Sequence, residues 1–177
     1  SGLEMAMWDI CGKETGKPVY ELLGGRVHEK LRAYTYLYPP VGVDVYADDP
    51  VYSDPAAAAE AAVREVERGF TGVKFDPAGR YSVFDGRQPA LHAIDLSVKM
   101  VRAVREAIGT RADILFGTHG QFSASGAIRL AKQLEKYDPL WFEEPVPPDS
   151  PEEIAKVARA TSIPISAGER LTTKYEF

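Results

Sequence analysis

Two glutamates close two short apolar segments in the same phase: Leu140-Trp141-Phe142-Glu143 and Ile163-Pro164-Ile165-Ser166-Ala167-Gly168-Glu169. The 26 residues that separate position 143 from 169 are about what one strand, one helix and two short loops require. The same step back from Glu143 lands on Gly117, at the end of Ile114-Leu115-Phe116-Gly117, with His119 two residues further on. Three neighbouring parallel strands therefore present Gly, Glu and Glu at equivalent places, and His119 shares the face of Gly117 because side chains alternate along a strand. Barrels built from strand–helix units place their chemistry at the carboxyl ends of the strands. Acidic groups converging there suit a divalent cation held by oxygen ligands.

The segments between the strands carry clear helix signals. Ser150-Pro151-Glu152-Glu153 predicts an N-cap, a proline at the first helical position and a capping-box glutamate, with Ile154, Val157 and Ala158 as the buried stripe. Asp54-Pro55 opens another helix, with Ala59, Ala62, Val63 and Val66 as its inner face and Gly69 as its end. Ile94, Val98, Val101, Val104 and Ile108 recur at helical spacing before Gly109, and a further helix follows Ser125 with Ala127, Leu130, Ala131 and Leu134 on one face. Strands are expected at 31–38, 71–75, 114–118, 140–143 and 163–167. The order βαβαβαβαβ implies an α/β fold with a parallel sheet. Two longer connections, Pro39 to Pro55 and Pro77 to Pro89, are placed to cover an active site. Five strands form only part of an eight-stranded TIM-type barrel and leave edges open, so the chain is expected to be part of a longer protein. The rival, a doubly wound domain, needs a glycine-rich phosphate loop after its first strand, where Tyr36-Leu37-Tyr38-Pro39-Pro40 stands.

Bulk properties exclude several classes. No apolar run approaches the roughly 18–20 residues of a membrane-spanning helix, and Ser1 to Trp8 lacks the basic start of a signal peptide. A net charge of −5 argues against a nucleic-acid partner but leaves an anionic small substrate open, since local cations decide that. Cys11, the lone cysteine, cannot form an internal disulfide and is expected as a buried thiol, with a cytoplasmic setting as the default.

Taken together, Val73-Lys74-Phe75-Asp76, Gly117-Thr118-His119-Gly120, Trp141-Phe142-Glu143-Glu144-Pro145 and Ala167-Gly168-Glu169-Arg170 resemble the enolase superfamily, in its mandelate racemase/muconate lactonizing enzyme branch. Within it they are most similar to galactonate-dehydratase-like acid-sugar dehydratases. Met5-Ala6-Met7-Trp8-Asp9-Ile10, Gly12-Lys13 and Leu22-Leu23-Gly24-Gly25 resemble the segment that leads from the family's capping domain into its barrel. The resemblance implies that residues 1–30 are connecting helices from a missing N-terminal capping domain. Residues 31–177 would then be the first part of a C-terminal (β/α)7β barrel. It implies a homo-oligomeric lyase in which Mg2+ binds a sugar-acid carboxylate, a base removes the α-proton and an acid assists departure of the β-hydroxyl. Removing that proton demands concentrated positive charge beside the developing dianion.

The resemblance assigns Glu143 and Glu169 as metal ligands. Gly117 departs from it, because the family places an aspartate ligand there. Water or His119 could fill the gap, or metal binding could be weakened or lost. His119 matches the histidine that protonates the departing hydroxyl, a role suited to an imidazole whose unperturbed pKa is about 6.5. Lys74 matches the first lysine of the branch's Lys-x-Lys motif, which contacts the substrate carboxylate. Asp76 replaces the second, which counts against a two-base racemase and makes Asp76 a base, a sugar ligand or a substitute metal carboxylate. An ion pair of Lys74 with Asp76 or Glu169 is the structural alternative. Glu144 is expected on the opposite face, with Arg170 as a candidate partner. His28 and His92 are expected on the surface, and tyrosines 36, 38, 46, 52 and 81 are candidates to line a cleft. A cycloisomerase or epimerase, a Schiff-base barrel using Lys74, and a non-catalytic homologue that lost its metal are the competing readings.

Overall fold

The structure, a computed structural model, describes residues 2–39, 50–78 and 87–176. The chain divides into two compact units, one formed by Ser1–Arg32 with Leu171–Phe177 and the other by Ala33–Arg170. Tyr46 and Tyr81, and most of the two long connections, lie outside the described residues.

In the larger unit five strands form one sheet in the order β1-β2-β3-β4-β5: Thr35–Tyr36, Gly72–Phe75, Asp113–Gly117, Trp141–Glu143 and Ile165–Ser166. Every neighbouring pair is parallel. Strictly sequential order is that of a barrel wall, in which each strand is added on the same side of the last. A doubly wound sheet reverses direction at a switch point, and this sheet does not. β1 is shorter than the sequence suggests. Leu31 is exposed, and only Thr35 and Tyr36 find ladder partners, on Val73 and Lys74.

Helices α3 (Pro55–Glu67), α4 (Leu91–Ile108), α5 (Ala124–Leu134) and α6 (Pro151–Ala160) pack in succession, each against the next. Their apolar sides meet Val73, Phe75, Ile114, Phe116 and Phe142 in a single core. Phe116 stands at the centre of an aromatic row, edge-on to Phe75 at 5.9 Å and to Phe142 at 6.0 Å. Asp54 caps α3 through Ala56 N at 3.0 Å, as its sequence demands. The most buried side of α3 is Ala58, Ala61, Ala62 and Glu65, with Val63 and Val66 only partly covered. These small side chains permit close approach to α4, and the buried Glu65 accepts from Arg64 and Arg68 at 3.2 and 2.8 Å.

Three local expectations are corrected. α5 is capped by Ser123, whose hydroxyl accepts from Gly126 N at 3.2 Å, so the helix begins before Ser125. Ser150 precedes α6 but makes no side-chain cap bond, and Glu153 pairs with Lys156 instead of reaching back. On α6 Val157 is buried but Ala158 is exposed.

Arg105, in the last turn of α4, joins the ends of three elements. Its guanidinium donates to the carbonyls of Gly109 (2.9 Å), Ala112 (3.0 Å), Tyr137 (3.0 Å) and Asp138 (3.1 Å). These lie at the end of α4 and just before β3 and β4, so one side chain satisfies four carbonyls at the end of the sheet where those strands begin.

In the smaller unit, α1 (Gly2–Thr15) and α2 (Val19–Leu22) are joined by a turn. Leu3, Met5, Met7 and Ile10 of α1 are exposed, and Cys11 is exposed as well, against the expectation of a buried thiol. The apolar residues of α1 are spread around its circumference, so no single covered stripe exists to draw the thiol in. No helix among the described residues is long and apolar enough to cross a membrane.

Candidate active site

The side of the sheet turned away from the helices carries a different set of side chains. Tyr34 and Trp141 meet edge to face at 5.5 Å, and Leu115 is buried close to them. Lys74 pairs with Leu115 in the ladder, and one step nearer the carboxyl ends come Gly117 and Glu143. Gly117 pairs with Glu143 in the ladder, as the 26-residue phase predicts, but Glu143 pairs with Ser166, so Glu169 lies beyond the end of β5 (Ile165–Ser166) and not at the equivalent place that the same phase predicts.

Lys74 donates to Glu143 Oε1 at 2.6 Å, and both side chains are largely buried. The expected partners, Asp76 or Glu169, are not the ones it takes. The reason is steric: a Cβ at position 117 would lie 2.5 Å from Lys74 Cε, so only glycine leaves room for the lysine to cross β3 and reach β4. The other oxygen of Glu143 accepts from Trp141 Nε1 at 3.1 Å. That contact joins residues i and i+2 of one strand, which alternation alone places on one face.

His119 follows β3 in a left-handed conformation (φ 53°), and Gly120 continues it (φ 73°). Histidine is among the non-glycine residues enriched in that region. The turn is fastened to β4: Thr118 Oγ1 donates to the carbonyls of Glu143 and Glu144 at 2.9 and 3.1 Å, and Gly120 N donates to Glu144 O at 2.8 Å. Gly120 is required, because a Cβ would meet Pro147 Cα at 3.1 Å. Burial holds the imidazole pKa below its ordinary value. Glu169 and Glu143 oppose that shift, while Lys74 and Arg170 add to it. His119 thus shares one electrostatic neighbourhood with four charged groups from three strand ends.

Glu144 is buried, and its backbone is left-handed (φ 45°). Arg170 Nη1 donates to its Oε2, and Arg170 Nη2 lies 3.9 Å from Glu169 Oε1. Burial pushes the Glu144 carboxyl upward and Arg170 pulls it back. Glu169 is half-exposed at the rim. Asp76 is buried, accepting from Ala78 N and Gln121 Nε2, both at 2.8 Å. Its burial raises its pKa well above the ordinary aspartate value, against those two hydrogen bonds. His28 and His92 are exposed. Tyr36 and Tyr38 lie 5.1 Å apart near the end of β1, and Tyr52 packs against the core.

Mg2+, typical of the enolase superfamily, demands near-octahedral oxygen ligation at about 2.0–2.1 Å. The described residues do not fit it as they stand. No group of three His, Cys, Asp or Glu among them could hold a metal ion, and both oxygens of Glu143 already receive N–H donors.

Residues 57–177 match the family described as Enolase C-terminal domain-like. The chain belongs to that family. Its sequential parallel sheet is the family's barrel wall, as solved structures also show. It superposes with a TM-score of 0.89 and 61% identity on a structure from Labrenzia alexandrii named for mandelate racemase/muconate lactonizing enzyme, covering 98% of this chain and 43% of that one. It is 37% identical to the D-xylonate dehydratase of Haloferax volcanii and 36% identical to a D-galactonate dehydratase of Variovorax paradoxus. These alignments span 99% and 100% of this chain but 41% and 42% of those enzymes. The chain therefore spans about two fifths of the length of the curated relatives it matches.

Proposed function

We propose that the protein is a hydro-lyase that dehydrates a sugar acid to a 2-keto-3-deoxy acid, with His119 as the acid that protonates the departing β-hydroxyl. The carrying observation is His119 held at the end of β3 by its left-handed turn and the Thr118 bonds, beside Lys74, Glu143, Glu169 and Arg170. The similarity to named xylonate and galactonate dehydratases supports the substrate class. In this reading Lys74 meets the substrate carboxylate, Glu143 holds Lys74 in place, and Glu169 favours the protonated imidazole. Asp76, buried, accepts from Gln121 Nε2 and fixes that side chain. Paired with a carboxylate, the Lys74 ammonium is a poor nucleophile, which favours elimination over Schiff-base chemistry.

The test is His119→Asn in the whole protein, assayed on a panel of aldonic acids. Keto-acid release should fall on the order of 10²- to 10⁴-fold, while α-proton exchange, followed by NMR in D2O, persists. Because the imidazole pKa is lowered, its acid form grows as pH falls, so acid-limited elimination should quicken relative to exchange on acidification. Unchanged keto-acid release would sink the assignment. Exchange without elimination in the unaltered protein would favour an epimerase or racemase.

A further inference from the structure

We propose that Lys74 is the resident cation of Glu143, admitted by the missing side chain at Gly117, and that a divalent ion reaches Glu143 only by displacing it. The inference deepens the reading above, since it concerns the charge that the substrate carboxylate would meet in the same site.

Lys74 is on β2 and Glu143 on β4, so the lysine must cross the whole of β3, a span of roughly 10 Å between strand axes. It crosses at Gly117. A side chain at that position would begin 2.5 Å from Lys74 Cε. An aspartate at 117 and this lysine conformation are therefore mutually exclusive: one offers a third carboxylate, the other fills its space with a cation. Each oxygen of Glu143 also has an N–H donor already, Lys74 at 2.6 Å on Oε1 and Trp141 Nε1 at 3.1 Å on Oε2. A dication brought to Oε1 would face the ammonium at close range in a poorly solvated site, where like charges repel strongly. An anionic substrate meets the opposite situation. The Lys74 ammonium has three N–H donors, so it can take the substrate carboxylate with one of them while Glu143 keeps another.

The decisive measurement is Mn2+ affinity of the whole protein, read from the electron-paramagnetic-resonance signal of free Mn2+. Lys74→Met should tighten binding about tenfold or more, and adding Glu143→Gln to that variant should abolish the gain. Gly117→Ala serves as an independent wedge that keeps both charges. Gly117 is not among the positive-φ glycines, so alanine is conformationally allowed, and its methyl must push Lys74 aside. It too should tighten Mn2+, by a smaller factor. Circular dichroism verifies that each variant is folded. Equal affinity in the unaltered protein and a folded variant, or weaker affinity on losing Lys74, would overturn the proposal. Because the titration reads the metal and not turnover, absence of dehydration would count against the functional reading alone.

Discussion

On the side of the sheet that meets the helices, Phe75, Phe116 and Phe142 stand in a row across β2, β3 and β4, all buried and all apolar. On the other side the same three strands carry Lys74, Gly117 and Glu143, where the middle position is empty so that the outer two can touch. In the first row each side chain contributes by its volume. In the second, the central residue contributes by having none. The helix-facing row is built by local rules, since each phenylalanine would be buried whatever its neighbours were. The opposite row is a three-strand arrangement in which no member has its role alone.

This contrast can be broken most directly at Phe116. Phe116→Ala should cost about 3–5 kcal/mol of stability in urea denaturation, because a large cavity opens where three aromatic rings meet. A loss of under 1 kcal/mol would show that the aromatic row is incidental. A smaller effect separates the two sides by pH. Asp76 holds its proton more tightly folded than unfolded, owing to burial. That contribution is fully present below the unfolded carboxyl value of about 4 and is lost as pH rises through the raised folded value. Asp76→Asn should therefore flatten the decline of the urea midpoint toward neutral pH, whereas Phe116→Ala should lower the midpoint by the same amount throughout. The smallest effect concerns the start of α5. Ser123→Ala should cost about 1 kcal/mol by loss of the cap, and Ser125→Ala much less; equal losses would restore Ser125 as the cap.

Much of the architecture was legible because strand and helix signals are periodic. The 26-residue phase placed Gly117 and Glu143 opposite each other, and the ladder pairs them. Where reading failed, the deciding contact was not local. Ser123 and Ser125 are equally good caps by type, and the close packing of Gly126 beneath the Arg87 carbonyl, 2.8 Å from where a Cβ would stand, accompanies the earlier start. Ala158 has an apolar side chain that nothing among the described residues covers. Lys74 had two acidic candidates, Asp76 and Glu169, and its actual partner, Glu143, depends on a volume missing from the neighbouring strand. A glycine on a strand reads as a lost ligand; only in three dimensions does it read as a passage.

The four carbonyls gathered by Arg105 carry an evolutionary consequence. Ala112, Tyr137 and Asp138 serve this joint through backbone atoms that any residue would supply, so their identities are free to drift as far as the joint is concerned. The guanidinium has no such substitute, because a lysine offers one point charge where a planar fork reaches several acceptors at once. The joint therefore concentrates its constraint on one side chain, and these connections should tolerate substitution more readily than position 105.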